Sequence, residues 1–375
     1  MTIRYLIRKG TILISLISVT VTLYSQQGRW SAKLHRADGN NIAFNFEWKT
    51  ENGKPVWYIY NATEKIKVDN ITEQGDSLFI QMPVFESQFR ILYHNKKITG
   101  VWIKGGSVKT QVISFSAEPG NKRFTATAVA AKNISGRWAV LFANSKTNEL
   151  SVGEFKQAGN KVTGTFLNPS GDYRYLEGIV SKDSLFLSGF DGGHAFLFTA
   201  TIDDNKKISG GTFFSGALYK EGWSAIRDAK AKVPQESVAM YLKPGEESLH
   251  FTFKDLEGKR ISIQDERFKN KVVVIQLMGS WCPNCMDETA FLSDYYNKNK
   301  QRGVEIIALA YEYSTNWERS VKSLRKFQDR YNVAYTVLNT EVAVNDSLRT
   351  EKTLPELTAI KFFPSSVILD KKRQS

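Results

Sequence analysis

The sequence contains few residues of the kinds that bind metal ions or build a disulfide framework. Its 375 residues include two cysteines, Cys282 and Cys285, and four histidines, no two of which stand at the spacing of metal ligands. A framework of several disulfides is therefore excluded. We also expect no metal site and no cofactor, because a structural zinc site needs about four such ligands. Any thiol chemistry must use this one pair of cysteines.

Long runs of one charge are also missing, although the chain is basic. The formal net charge is +13, yet no block of five or more like charges occurs. Dispersed lysines and arginines are typical of a solvated surface, so we expect no nucleic-acid partner. The contents of 42% hydrophobic and 24% charged residues indicate a globular chain rather than a disordered one. The length allows about two or three domains.

A short apolar stretch follows a basic amino terminus. Residues 1–10 carry three basic side chains and no acid, and residues 11–24 are apolar apart from hydroxyl groups. This stretch is shorter than the roughly 18–20 apolar residues of a membrane-spanning helix. It predicts a cleaved signal peptide over residues 1–25 and a periplasmic protein, secreted across the inner membrane into a compartment where disulfides form. An uncleaved membrane anchor is the alternative.

The first two thirds of the chain contain an internal repeat. Gly28-Arg29-Trp30 recurs as Gly136-Arg137-Trp138, Asp76–Phe79 recurs as Asp183–Phe186, and Asn95–Gly100 recurs almost unchanged as Asn205–Gly210. The three offsets are 108, 107 and 110 residues. Colinear matches at nearly one offset predict a duplicated unit. We place the first unit at residues 27–116 and the second at residues 134–225, with a linker between them.

Both units consist of short runs in which apolar and polar residues alternate. Residues 42–48 and 56–60 are examples, and the turn formers 51–54 separate them. Alternation with a period of two is the signature of β-strands with one buried face. We therefore expect all-β tandem repeats, each an antiparallel meander of barrel-like or sandwich-like form, or two halves of one larger structure. The opening Gly-x-Trp resembles lipocalin-like barrels, which hold apolar ligands; the alternative is an interior filled by aromatic side chains.

The last third has the pattern of an α/β domain. Residues 226–248 have the composition of a linker, and we place an α/β domain at residues 249–375. The predicted elements are a hairpin over 249–263, a buried strand over 272–277, a helix opening at 281–285, a strand over 304–310, a helix over 316–331 and a strand over 335–338. Alternation of strands and helices predicts a parallel sheet.

The cysteine pair stands where thiol chemistry is favoured. Cys282 falls in the first turn of a predicted helix, where unpaired N–H groups and the helix dipole stabilise a thiolate. Cys285 lies three residues on, within reach for a disulfide, and Pro283 suits the first turn. We predict a redox-active pair at an exposed position beside Trp281. Half of a zinc site, a structural disulfide and an inert buried pair are the alternatives.

Two segments resemble a known family. Residues 272–288 look like the active-site segment of extracytoplasmic thioredoxin-fold proteins of the TlpA and ResA type, which are related to the AhpC/TSA group. Residues 363–370 are similar to the cis-proline loop of that family and its following strand. The resemblance covers residues 249–370. The β-rich units, including residues 171–178, look like the amino-terminal extension of some larger TlpA-like proteins.

The resemblance implies a function and a set of site residues. It implies a disulfide reductase in which Cys282, Cys285 and Glu288 are catalytic, Glu288 assisting proton transfer. It also implies that a partner is bound beside three substrate-binding residues, which are Trp281, Phe363 and Pro364. The partners would be protein disulfides or dithiols, with a membrane protein upstream as electron donor.

The sequence departs from the family at two places, and two other functions stay open. Gln276 stands where thioredoxin has a buried aspartate, which leaves Glu288 as the expected proton acceptor. The chain stops soon after residue 370, so we expect the domain to be incomplete at its carboxy terminus. An AhpC/TSA-type peroxidase would need Thr or Ser three residues before the reactive cysteine and Pro seven residues before it. This chain has Gly279 and Ile275 at those positions. The remaining alternative is a ligand- or partner-binding β-domain protein with a vestigial redox domain.

Overall fold

The computed structural model describes residues 27–106, 109–143, 148–234 and 240–371. The predicted signal peptide, at residues 1–25, lies outside the described residues. Among the helices in these ranges, none has the length and apolarity needed to cross a membrane.

The first β-rich unit is one antiparallel sheet. Its strands are β1 (Gly28–His35), β2 (Ile42–Glu51), β3 (Lys54–Asn61), β4 (Glu64–Val68), β5 (Asn70–Gln74), β6 (Ser77–Gln81), β7 (Ser87–His94), β8 (Lys97–Lys104) and β9 (Gln111–Pro119). Their order is β4-β3-β2-β1-β9-β8-β7-β6-β5. Although β3 and β7 are far apart in this order, Trp57 and Phe89 on them have ring centroids 5.8 Å apart. The sheet therefore curves round on itself into a barrel-like form, with β4 and β5 at its two edges.

The second unit is a closed barrel. Its strands are β10 (Gly136–Ala143), β11 (Asn148–Ala158), β12 (Lys161–Asn168), β13 (Gly171–Asp172), β14 (Leu176–Ser181), β15 (Ser184–Phe190), β16 (Ala195–Ile202), β17 (Lys207–Ser215) and β18 (Tyr219–Arg227). The order is β11-β10-β18-β17-β16-β15-β14-β12-β13, and β11 also pairs with β12, which closes the ring. Phe198 lies inside, with its ring centroid 4.6 Å from that of Phe166 and 4.4 Å from that of Phe213. Aromatic side chains thus fill the barrel, which is the second of the two interiors that the sequence allowed.

The two units share an extensive interface. Phe190 at the end of β15 stacks on Phe44 of the first unit, with centroids 4.3 Å apart, and Asn61 Nδ2 donates to the Phe190 carbonyl oxygen at 2.8 Å. Arg123, in the connection between the units, is buried and donates to the Ser188 carbonyl oxygen at 2.9 Å. Strands β9 and β18 extend a few residues past the ends predicted for the units. The connection is part of the interface rather than a free linker.

The carboxy-terminal domain has the predicted α/β architecture. Its strands are β19 (Thr252–Asp255), β20 (Arg260–Ser262), β21 (Val272–Met278), β22 (Val304–Ala310), β23 (Thr336–Asn339) and β24 (Ser365–Leu369), and its α-helices are α1 (Pro283–Asn299), α2 (Trp317–Arg330) and α3 (Arg349–Thr353), with short 3-10 turns at Glu266–Phe268 and Lys300–Arg302. The sheet order is β20-β19-β23-β22-β21-β24. Strands β21, β22 and β23 are parallel, and β24 pairs antiparallel with β21. The sequence did not predict α3, which is a single turn of five residues.

The filled barrel makes a stability prediction. Because Phe198 is fully buried between two other rings, Phe198→Ala should lower the free energy of unfolding of the second unit by about 3–5 kcal/mol. Urea unfolding followed by tryptophan fluorescence measures the change. Leu218→Ala, at a side chain that is 83% exposed, is the control and should cost less than about 0.5 kcal/mol. Equal losses in the two variants would contradict an interior packed around Phe198.

Candidate redox site

The two cysteines lie at the amino end of α1 and form a disulfide. Strand β21 is buried and ends at Met278, and Cys282 is the N-cap residue of the helix that follows. The backbone N–H of Cys285 donates a hydrogen bond of 3.2 Å to Cys282 Sγ, which satisfies one of the unpaired donors of the first turn. Pro283 occupies the first helical position, where its missing N–H costs no hydrogen bond. Cys282 therefore lies at the amino end of the helix, one residue before the first turn in which the sequence predicted it.

The residues predicted to bind a partner lie around the disulfide. The peptide bond between Phe363 and Pro364 is cis, and the Phe363 carbonyl oxygen lies 3.4 Å from Cys282 Sγ. Trp281 packs edge-on against Phe363, with ring centroids 5.9 Å apart, and its indole N–H donates to the Tyr311 carbonyl oxygen at 2.8 Å. The structure brings the predicted residues together, while their roles in binding stay predictions.

Glu288 lies one turn after Cys285 and belongs to a polar network between α1 and the sheet. Its carboxylate accepts hydrogen bonds from Gln276 Nε2 at 2.9 Å and from Ser366 Oγ at 2.8 Å. Gln276 is fully buried, and its Oε1 accepts a bond of 3.2 Å from the Tyr335 hydroxyl. Gln276 thus holds Glu288 in place from the position of the thioredoxin aspartate. Among the described residues no hydrogen bond joins Glu288 to a cysteine sulfur, so its role in proton transfer stays a prediction.

Glu312 is a buried acid that the sequence analysis missed. It lies two residues after β22, and its carboxylate accepts hydrogen bonds from the Ser280 backbone N–H at 2.8 Å and from Ser280 Oγ at 2.7 Å. Burial raises the pKa of Glu312 to about 7, and the two bonds from Ser280 limit the rise. Glu312 therefore fixes the loop that leads into Cys282. An acid directly after a buried parallel strand was the available signal, because the carboxyl ends of such strands meet at one edge.

The prediction that the reactive sulfur is exposed is wrong. Cys282 is only 3% exposed. The residues on either side of it lie against the β-rich units: Glu86 of the first unit borders a small cavity with Trp281, and Asp172 of the second unit contacts Asn284. The sequence did not reveal this packing because the contacts join segments more than 100 residues apart.

Arg174 of the second unit also reaches the redox site. Its Nη1 donates to the Pro283 carbonyl oxygen at 3.2 Å, and its Nη2 lies 2.7 Å from Glu64 Oε1 and 3.1 Å from Asp287 Oδ1. Residues 171–178, to which the sequence assigned no role, thus include a cation that contacts the segment between the two cysteines. Two acids hold the Arg174 guanidinium: Glu64 from the first unit and Asp287 from α1.

Comparison with known proteins identifies the carboxy-terminal domain. Residues 244–373 match the model of the AhpC/TSA family. Several relatives carry the name thiol-disulfide oxidoreductase ResA. That of Bacillus thuringiensis subsp. konkukian is 45% identical over 65 residues, which are 17% of this chain and 36% of the relative. That of Bacillus subtilis is 31% identical over 107 residues, which are 28% of this chain and 55% of the relative. Residues 244–373 form a TlpA/ResA-type domain of the AhpC/TSA family.

The likeness covers only part of each chain. The chain spans about a third to a half of the length of the curated relatives that it matches first. Among solved structures, a thiol-disulfide oxidoreductase from Bacteroides fragilis NCTC 9343 aligns with a TM-score of 0.29 and 15% identity, over 35% of this chain and 86% of that one. The β-rich units lie outside the range matched by the AhpC/TSA family model.

The raised pKa of Glu312 predicts a pH-dependent stability of the TlpA/ResA-type domain. The folded protein keeps the Glu312 proton up to about pH 7, whereas an unfolded glutamate loses it near pH 4.3. The resulting stability is fully present below about pH 4 and is lost as the pH rises through about 7, a decrease of about 4 kcal/mol. Glu312→Gln retains a hydrogen-bonding side chain of the same shape and should remove this decrease.

Urea unfolding at several pH values between 5 and 8 measures the difference between Glu312→Gln and the parent. Glu118→Gln, at an exposed strand position, is the matched control and should follow the parent at each pH. Parallel curves for all three proteins would show that Glu312 is ionised throughout.

Proposed function

We propose that the protein is an extracytoplasmic thiol-disulfide oxidoreductase that acts through Cys282 and Cys285. The observation that carries the proposal is the arrangement at the amino end of α1. There the Cys282 sulfur already accepts an N–H bond and lies 3.4 Å from the carbonyl oxygen that precedes a cis proline. The same N–H group can stabilise negative charge on that sulfur once the disulfide is reduced. The name thiol-disulfide oxidoreductase, which the ResA relatives carry, supports this reading.

The proposed reaction is a two-step exchange that begins from the reduced pair. The Cys282 thiolate attacks one sulfur of a partner disulfide, which forms a mixed disulfide and releases the other partner sulfur as a thiolate that takes up a proton. Cys285 then loses its proton and attacks Cys282 Sγ, which closes the internal disulfide and releases the second partner thiol. The partner gains two electrons and two protons, and the protein dithiol is oxidised to the disulfide seen in the structure.

Glu288 is the proposed proton acceptor for Cys285. The two residues lie one helical turn apart on α1, the spacing at which side chains on a helix are neighbours. The bonds from Gln276 and Ser366 hold the Glu288 carboxylate between β21 and β24. Neither Gln276 nor Ser366 can take up a proton at neutral pH, so they orient this carboxylate without competing for the proton.

The proposal extends to the direction of the reaction, the location of the protein and its partners. We propose that the protein acts as a reductase in the periplasm, reached through the signal peptide expected at residues 1–25. A dithiol supplied by a membrane protein upstream would return Cys282 and Cys285 to the reduced state, and protein disulfides would be the substrates.

Trapping of the mixed disulfide tests the order of attack. Cys285→Ser should accumulate a covalent complex with insulin, because Cys282 attacks and no second sulfur resolves the product. Cys282→Ser should form no such complex, since Cys282 is the sulfur on which the Cys285 N–H stabilises negative charge. Non-reducing electrophoresis and mass spectrometry detect the complex, which must vanish on reduction. Failure of both folded variants to trap insulin, or trapping by Cys282→Ser alone, would contradict the proposal.

Replacement of Glu288 tests its assignment as the base. Glu288→Gln keeps the size of the side chain but cannot take up a proton, so the second step should slow by about 10²-fold at neutral pH. Quenched-flow decay of a mixed disulfide between Cys282 and glutathione measures that step. Asp294→Asn removes an exposed ion pair with Lys298 on the same helix and should leave the rate unchanged. A rate in Glu288→Gln equal to that of the control would remove Glu288 from the mechanism.

A peroxidase is the second candidate, because the matched family model is that of the AhpC/TSA group. The residues around Cys282 weigh against it: Gly279 and Ile275 occupy the positions where the peroxidase pattern needs a hydroxyl side chain and a proline. Peroxide consumption by the reduced protein separates the two activities. Fast, saturable turnover with oxidation of Cys282 would favour the peroxidase over the disulfide reductase.

A further inference from the structure

Two turns of the β-rich units lie beside the start of α1. The Phe85 turn, residues 82–86, joins β6 to β7 in the first unit, and the Asp172 turn, residues 171–174, follows β12 in the second. The first turn borders a small cavity with Trp281 and the second contacts Asn284, so both lie close to Cys282, whose sulfur carries the proposed attack although only 3% of the residue is exposed.

The Phe85 turn binds to the TlpA/ResA-type domain through an apolar and a charged contact. Phe85 is 6% exposed and belongs to the same apolar cluster as Cys282. The carboxylate of Glu86 accepts two bonds from Arg319 on α2, at 2.9 Å from Nε and 2.6 Å from Nη2. Ser323 Oγ donates a further bond to it at 2.8 Å. One acid of the first unit thus satisfies two side chains of the redox domain.

The second unit supports the Phe85 turn from behind. The ring of His194, in the turn between β15 and β16, lies edge-on to Phe85 with centroids 5.5 Å apart. A β-carbon added to Gly193 would lie 2.4 Å from the Phe85 ring. Both β-rich units therefore contact the Phe85 turn. If the two units move away from the redox domain, the turn moves with them.

The Asp172 turn meets the residues between the cysteines. The Asn284 side-chain amide pairs with Asp172, with its nitrogen 3.0 Å from Oδ1 and its oxygen 3.2 Å from the backbone nitrogen. Gly171 approaches so closely that an added β-carbon would lie 2.0 Å from the end of the Asn284 side chain, and its φ of +133° is a conformation that favours glycine. Arg174 donates to the Pro283 carbonyl oxygen. These contacts place the second unit against both residues between the cysteines.

Polar contacts of this kind suit an interface that opens. The Glu86–Arg319 pair keeps about a third of each side chain exposed, and Asp287, which pairs with Arg174, is 59% exposed. Such groups regain water when they separate, so the ion pairs cost little to break. Inter-domain surfaces with this character open more readily than apolar ones.

We propose that the β-rich units are an intramolecular lid on the redox face. A protein partner reaches Cys282 only after the Phe85 turn and the Asp172 turn have left that face together. The proposal rests on the proposed function in one respect, which is that Cys282 is the attacking sulfur. It adds that the β-rich units control access to this sulfur. The occupant of the partner-binding surface in the closed state is the chain's own amino-terminal region.

The accessibility of Cys282 to reagents of two sizes tests the lid. In the full chain with Cys285→Ser, Cys282 is the one thiol, and its rates of alkylation by iodoacetamide and by a 5 kDa polyethylene glycol maleimide are measured by mass spectrometry and gel shift. The ratio of the bulky to the small reagent's rate should be at least about tenfold lower than in the same chain unfolded in urea, because the bulky reagent needs the open state.

Two variants should open the lid. Gly171→Ala places a β-carbon against Asn284, and Glu86→Gln removes the charge opposite Arg319; each should raise the bulky reagent's rate about fivefold or more. Gly28→Ala is the matched control for backbone strain: its φ is +126°, but nothing lies within 4 Å of the added carbon. It should leave the rate unchanged.

Two results would overturn the lid. The first is a wild-type rate ratio equal to that of the unfolded chain, which needs no variant. The second is unchanged reactivity in both opening variants, with circular dichroism showing that they are folded. Alkylation requires no disulfide exchange, so a failure of the lid is distinguishable from a failure of the proposed function, which the trapping experiment addresses.

Discussion

The hydrogen bond from the Cys285 N–H to the Cys282 sulfur sets the geometry of the redox site. It places the sulfur at the amino end of α1, a short loop after strand β21, which lies between β22 and β24 in the sheet. The other contacts fix the loops that meet there. Glu312 holds the loop before Cys282 through Ser280, and the chain at Phe363 closes the opposite side. The sulfur is thus positioned from three parts of the domain.

The duplicated units form one supporting body from two different sheets. The second closes into a barrel through the β11–β12 pairing, whereas the first leaves β4 and β5 unpaired with each other. Phe190 of the second unit stacks on Phe44 within the core of the first. Each interior is packed with aromatic rings. Two turns of these units meet the redox domain at its disulfide.

Much of the fold was predictable from the sequence because its causes are local. The apolar run before Cys282 predicts β21, the strand at Val304–Ala310 matches its prediction to the residue, and the alternating runs predict the β-rich units. A closed second sheet and an open first one were not predictable, because strand closure depends on pairings between distant segments. The five-residue α3 is too short to have a periodic signature.

In the candidate site, too, the residues that were predictable are those in local sequence motifs. The cysteines and the cis proline were predictable because their motifs are contiguous in the sequence. Glu312, Arg174 and Glu86 act through contacts made only in the folded chain: Arg174 meets Pro283 across 109 residues, and Glu86 meets Arg319 across 233. For the same reason the sequence predicted an exposed Cys282, since nothing near it in the chain reveals that other units pack against it.

Equilibration with glutathione redox buffers tests the central claim, that Cys282 and Cys285 are a working redox couple rather than a structural disulfide. Alkylation of the quenched protein and mass spectrometry give the reduced fraction at each ratio of thiol to disulfide. The account predicts one reversible two-electron transition with a midpoint in the range of about −270 to −120 mV, where the disulfide exchange proteins lie. A midpoint below about −300 mV, typical of structural disulfides, or a bond that does not exchange at all, would contradict it.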